Sequence, residues 1–495
     1  MLSNKNNIRA YGAVMFFFTF VFTLISFVNH YFFRTYAFDL GLYNNAIYDY
    51  AHLHFNYSPL LLPDFPGRNQ LSDHFDLLLI ILSPLGYIFG TYTLLFVQLF
   101  AILLGGLGIA RFVETCSQNS KLPVLAMIHF FTIWGIYSAL SFDYHSNVVA
   151  TMGVPWLFLF IKQNAKFKAF LIFIFILICK ENMALWAVFL ASGLALLYWK
   201  EVQKRNYCLI LSFIAGVYFI LAIKVFMPYF SDPLQKYIHF DFTAVGISYK
   251  EAIKTILFRP QYAFSLLFES QKYLPEAFGN KTELHLFVLL SGGFCFFFRP
   301  SFLWMLLPIY GQKMFNDDFT KWGINNHYSI EFAPIICISL FVWIAEMGKS
   351  KQNYWAVSLI LLTAFLTYRS MENRVSKWYK ISNENIFLLQ HYQQNYDVKR
   401  IHHIINQIPG ESSVSASCNL VPHLAFRKNI YLFPYTHEAE FILLLDDAES
   451  YYPINQNEFK NALSEIRKDS NYRLAINETL FYLFVRKDIP FNIKD

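Results

Sequence analysis

The sequence predicts a mostly α, polytopic membrane helix bundle of about 11 spans followed by a small C-terminal α/β domain. Three observations lead there. Of 495 residues, 56% are hydrophobic and only 15% charged, a balance that points to a membrane rather than to several water-soluble domains. The apolar residues are gathered in runs, several of which reach the ~20 residues that a spanning helix needs. After residue 396 the pattern changes to short strand-like and helix-like stretches in alternation.

The net charge of +6 raises nucleic acid as a partner, but the distribution excludes it. Lys and Arg fall in short clusters between apolar runs, with no basic patch interleaved with aromatics, so they read as topology signals. Cys116, Cys179, Cys208, Cys295 and Cys337 lie in or beside apolar runs and Cys418 stands alone. That leaves no disulfide framework and no C-x-x-C motif.

The first run, 11–29, follows Lys5 and Arg9, is long for a signal-peptide core and has no small-residue cleavage site, so it is an uncleaved first helix. Loop 31–91 comes next and gathers Asp39, Asp49, Asp64, Asp73, Asp76, His52, His54 and His74 in a chain otherwise poor in charge. Within it, 39–50 has the spacing of an amphipathic helix lying on the bilayer surface, with Asp39 near its N-terminus. The stretch 76–90 is interrupted by Pro84 and Gly86 and is expected to be re-entrant or interfacial.

Spans are expected near 11–30, 92–114, 122–141, 146–161, 168–180, 183–199, 207–227, 284–298, 301–314, 328–346 and 354–368. With 76–90 not counted as a crossing, the clusters Lys5/Arg9, Arg111/Lys121, Lys162/Lys166/Lys168, Lys200/Lys204/Arg205, Arg299 and Lys349/Lys351 fall on one side. The positive-inside rule makes that side cytoplasmic, at the cell (inner) membrane. Loops 31–91 and 228–283 and everything after 368 then lie outside. The runs 146–161 and 168–180 are too short to cross alone unless they end in a polar cavity.

Domain boundaries follow: a transmembrane domain 1–368, a polar, helical connector 369–396 and an extracytoplasmic α/β domain 397–495. The last is read as helix 398–408, strand 412–417, a short helix near 419–426, strands 430–433 and 440–446, helix 456–469, and a strand pair across 472–487 turning near Asn477. No glycine-rich phosphate loop occurs in it. The sequons at Asn280 and Asn477 carry little weight.

Four polar sites fall on the outer side: the opening loop with Asp39, Asp73 and His74; S-F-D-Y-H-S-N with Asp143, His145 and Asn147; C-K-E-N with Lys180, Glu181 and Asn182; and N-N-H-Y-S-I-E with His327, Tyr328 and Glu331. Ionisable groups this near hydrocarbon are costly unless paired or facing a wet cavity, so they mark function. The bland reading is helix-end capping and, for Lys180 with Glu181, mutual neutralisation. Lys224, inside the seventh run, snorkels outward. His74, Asp143, His145 and Glu181 are ligand types that suit Mn²⁺, Mg²⁺ or Zn²⁺, but no ligand spacing fixes them, so no cofactor is assigned and a divalent cation stays open.

F-D-L-G-L-Y-N-N-A-I-Y, D-H-F-D-L-L-L-I-I-L-S-P-L, F-D-Y-H-S-N, K-E-N-M-A-L, H-Y-S-I-E-F-A-P and V-S-A-S-C-N-L-V-P-H-L-A-F-R-K-N-I-Y-L-F-P occur in this order from about residue 35 to 435. Together they resemble the prokaryotic family of predicted membrane proteins called domain of unknown function 2079, which is similar to the polytopic C-type (GT-C fold) glycosyltransferases. The resemblance implies a polyprenyl-phosphate-linked sugar donor and an acidic residue in the first outer loop acting as catalytic base, which by position is Asp39 in F-D-L. This chain has one Asp there and not the paired acids of some relatives, which puts metal use in doubt. On that reading His74 and His145 orient substrate beside Asp39, with Asp143 in the same catalytic set. Arg34, Arg68, Lys180 or His327 would meet the leaving phosphate. Asp73, Asn147, Glu181 and Tyr328 complete the expected substrate site, and the acceptor would be an extracytoplasmic lipid, glycan or protein. Pro422 to Arg427 has no derivable role.

The alternative from another class is a transporter or lipid flippase without transferase activity, for which buried charge and broken helices are also expected. No internal repeat supports it. A non-catalytic sensor or scaffold would leave the outer-face carboxylates and histidines unexplained.

Overall fold

A computed structural model describes residues 5–60, 68–231, 240–269, 274, 277–375 and 380–493. Asp64 of the opening loop lies outside the described residues. The chain is mostly helical and divides into two compact units, one of Met1–Ile25, Gln98–Phe226 and Leu234–Asn385, the other of Ser26–Val97, Met227–Pro233 and Ile386–Asp495.

The expected count of about 11 spans is corrected. Among the described residues, three helical stretches are long and apolar enough to cross a membrane, Asn7–Tyr31, Leu78–Glu114 and Val202–Phe230; the pair Leu122–Phe131 and Trp134–Ser141, bent by 42°, makes a fourth if it counts as one span. The other apolar runs are helical but short. Ser146–Lys162, Glu181–Leu197 and Phe332–Ala345 each have at most 17 residues; at 1.5 Å per residue they extend about 26 Å or less, short of a ~30 Å hydrocarbon core. The run 284–298 breaks into helix Asn280–Leu290 and a 3-10 turn Gly293–Phe297. The stretch 76–90 is a series of short turns, Leu78–Leu82, Ser83–Leu85 with Pro84, and Gly86–Phe89, ended by Gly90 at φ +54°.

The first unit packs helix on helix. Trp134 donates its indole N–H to Ser291 Oγ, Trp186 donates to the Met305 carbonyl, and Phe158 stacks on Phe302. Phe16, Phe17 and Phe20 of the first helix stay exposed, as does Phe213 of Val202–Leu221, outward faces suited to lipid. Gly135 permits a close backbone approach in this unit: a Cβ there would lie 2.6 Å from the Ser329 carbonyl oxygen.

The second unit holds a five-stranded sheet of order β2-β1-β3-β5-β4. β1 (Val414–Ala416) runs parallel to β2 (Ile430–Leu432) and to β3 (Phe441–Leu445), while β5 (Phe481–Arg486) is antiparallel to β3 and to β4 (Tyr472–Asn477). Every residue of β3 is buried because both faces are covered. Phe441, Leu443 and Leu445 join a core with Ile401, Ile404 and Leu424, and Ile442 and Leu444 meet Phe459 and Leu463 of helix Gln456–Lys468 on the other face. A capping box of Asn455 and Glu458 fixes the start of that helix.

The opening segment contributes to the same core. Phe33, Ala37, Leu42 and Leu60 pack with Val414, Val421 and Leu443. The expected helix in 39–50 is present as a π-turn Ala37–Gly41 running into helix Leu42–Ala51, with most of its side chains buried against protein. Among the described residues, the connector 369–396 is helical to Glu372 and at Ile381–Glu384, with a 3-10 turn Leu389–Tyr392.

Candidate functional site

Three of the four polar sequences converge in the first unit, each at the N-terminal end of an apolar helix. His145 precedes helix Ser146–Thr151, Lys180 precedes Glu181–Leu197, and Glu331 precedes Phe332–Ala345. Asp143, His145, Asn147, Lys180, Glu181, His327 and Glu331 are all buried, while Tyr328 is half-buried.

Their contacts tie the sites to one another. Asn147 Nδ2 donates to Glu331 Oε1 at 2.8 Å. The His145 and His327 rings stack with centroids 3.4 Å apart, and Phe142 stacks on His145 while Tyr328 packs on His327. His145 Nδ1 is 3.3 Å from the Asp143 carbonyl; a carbonyl only accepts, so Nδ1 is the donor in that contact. The His145 backbone N–H donates to Gln98 Oε1. The ammonium charges of Lys313 and Lys180 both act on the Glu331 carboxylate, and Lys313 Nζ also donates to the Gly323 carbonyl at 2.9 Å.

Lys313 and Gln98 were not singled out in the sequence. The available signal was a polar residue within an apolar run, which in a membrane protein points inward by default. Among the described residues, Gln98 Nε2, Asn147 Oδ1 and Asn182 Oδ1 are buried without hydrogen-bond partners. A buried polar atom without a partner costs roughly 1–3 kcal/mol. Such atoms beside buried charges suit a region that receives a polar ligand or water.

The residues of the opening loop belong to the second unit. Asp39 is half-buried on the π-turn Ala37–Gly41, a distortion often retained at functional positions. Arg68 pairs with Asp73 at 3.0 Å, and His74 Nε2 lies 4.0 Å from the same carboxylate. Arg34 is buried, and its guanidinium donates to the carbonyls of Gln390, His391 and Gln393. Those bonds fasten the residues before the C-terminal domain to the end of the first helix, a structural use for a residue expected to meet phosphate.

The motif Pro422 to Arg427 gains a role in the same unit. Asn44 Nδ2 donates to the Pro422 carbonyl, and Asn45 Nδ2 to those of Ala425 and Arg427. Arg427 donates to Leu424, Pro409 and Ser412 carbonyls, and burial pulls its guanidinium down to about 10. The motif is therefore a dock that holds the helix following Asp39. Asn56 completes it by donating to Asn45 Oδ1 and to Asp49 Oδ2, whose carboxyl burial shifts upward.

Among the described residues, no three His, Cys, Asp or Glu side chains are arranged to hold a metal ion. The expected ligand types divide, with His74 in one unit and Asp143, His145 and Glu181 in the other.

A family model described as "Predicted membrane protein (DUF2079)" matches residues 29–479, most of the chain. No curated protein matches.

Proposed function

This chain belongs to the DUF2079 family of predicted membrane proteins, and on that premise we propose that it is an integral membrane glycosyltransferase. It moves a hexosyl or pentosyl group from a polyprenyl-phosphate-linked donor to an extracytoplasmic lipid, glycan or protein acceptor. The observation that carries this reading is the convergence of Asn147, Lys180 and Lys313 on Glu331, all four buried and with polar atoms left over nearby. Such a cluster is destabilising for a fold that only needs to pack, since each desolvated ion costs several kcal/mol before pairing returns part of it. It suits a reaction in which a phosphate leaves and a hydroxyl attacks.

The chemistry divides by charge. Lys180 and Lys313, with the N-terminal ends of helices Glu181–Leu197 and Phe332–Ala345, favour the negative charge that grows on the leaving phosphate oxygen. Glu331, oriented by Asn147, and His145 position hydroxyl groups. Asp39 is proposed as the general base on the resemblance in F-D-L, supported by its position on a π-turn. The basic clusters support a cytoplasmic N-terminus, an extracytoplasmic C-terminal domain and an inner-membrane location.

The test is sugar transfer by purified protein in liposomes supplied with labelled polyprenyl-phosphate sugars. Transfer that is lost in Asp39→Asn and in Glu331→Gln, with the fold intact, is the expected result. Donor lipid that crosses the bilayer without transfer would establish the flippase reading instead.

A further inference from the structure

Helix Tyr249–Phe258 has no buried residue. At 100° per residue, Tyr249, Ala252, Ile253, Ile256 and Leu257 share one arc, and Lys250, Glu251, Lys254 and Thr255 occupy the opposite one together with the terminal Phe258. Ile253 is 57% exposed, Leu257 67%, and beyond the helix Phe264 is 63% exposed. Ten residues extend about 15 Å, half the thickness of the hydrocarbon core, so this helix does not cross.

The helix is built and held, and its apolar arc is still left open. Ser248 caps it through the Glu251 N–H, and the Glu251 carboxylate turns back to accept from the Ile247 N–H. Beyond helix Pro260–Ser265, Lys281 Nζ donates to the Leu266 and Glu269 carbonyls at 2.6 and 3.0 Å, and His285 donates to the Leu267 carbonyl. Tyr262 ties the middle to the Ala244 carbonyl.

We propose that Tyr249–Phe268 is an interfacial anchor: it lies in the plane of the membrane surface with Ile253, Ile256, Leu257 and Phe264 in the acyl boundary and Lys250, Lys254 and Arg259 on anionic lipid head groups. Charge selects this occupant. Lys250 lies at the edge of the apolar arc, next to Leu257, where a long basic side chain covers hydrocarbon with its stem and reaches phosphate with its tip. A second copy packed face to face would set the same basic edge against itself.

The test uses the full chain in nanodiscs of phosphatidylcholine, with and without phosphatidylglycerol. Cys116, the one cysteine among the described residues that is not buried, is replaced by Ser, and a fluorophore is placed by Ile253→Cys, Leu257→Cys or Lys254→Cys. Spin labels on the lipid chains are expected to quench at 253 and 257 at least about three-fold more than at 254. Combining Lys250→Gln, Lys254→Gln and Arg259→Gln is expected to reduce quenching at 257 in the phosphatidylglycerol discs and to leave it unchanged in the others. Equal quenching at the three positions, protection at 257 that disappears on dilution, or indifference to lipid charge would overturn the proposal. None of these readouts depends on sugar transfer.

Discussion

At Glu331 and Asn147 the protein joins two sequences 184 positions apart through one charge-assisted hydrogen bond. Glu331→Gln keeps the shape and an acceptor oxygen but removes the charge that Lys180 and Lys313 face. It is expected to lower thermal stability, because two buried lysines lose their counter-charge, and at equal folded protein to lower sugar transfer at least about 100-fold, the scale of a lost electrostatic group in a site. Asn147→Ala removes the donor and leaves the carboxylate less satisfied, with an expected stability loss of about 1–3 kcal/mol by thermal unfolding in detergent. Asp143, His145, Asn147, Lys180 and His327 stand out in the sequence as polar residues beside apolar runs, and the structure buries all five. For Arg34, nothing local in the sequence announces that three carbonyls from residues 390–393 accept from it.

Among the elements, the C-terminal sheet was the most legible. Strands expected at 412–417, 430–433, 440–446 and 472–487 appear within a few residues of those bounds, because short apolar runs bounded by turn residues are too brief for helices and read as strands. Its docking partner was not legible, since the amphipathic spacing of 39–50 is the same whether lipid or protein covers it. The dock gives a sharp expectation: Asn45→Leu removes the donations to Ala425 and Arg427 and strands Asn56, so hydrogen exchange should rise across 421–427 and Leu42–Ala51 together. Gly135→Ala pushes a methyl group into the Ser329 carbonyl and should displace the segment bearing His327 and Glu331, costing about 1–3 kcal/mol and transfer with it. Acid should weaken the second unit. Burial lowers His402 and places His423 well below its ordinary 6.5, so the unfolded chain binds protons that the folded one refuses. Stability of this unit is full above 6.5 and falls as pH drops below it, and His423→Phe should flatten that slope in unfolding scans between pH 7 and 5.

For the whole molecule, hydropathy located the apolar helices but not how far each extends. An apolar run of about 15 residues looks the same whether it crosses, ends in a polar interior or packs sideways, and only the backbone length separates these cases. That is why about 11 expected spans became three or four helical stretches of crossing length beside shorter apolar helices. The shorter helices are also the ones whose ends carry the buried ions, so the overcount and the site share one physical origin. The central claim is that this buried cluster is a reaction centre, and its most direct measurement is the single-turnover rate of sugar transfer from a polyprenyl-phosphate donor by the native chain and by Glu331→Gln at equal folded protein. The account predicts a measurable rate in the first and its near-complete loss in the second; equal rates, or no transfer from any polyprenyl-linked sugar by the native chain, would contradict it.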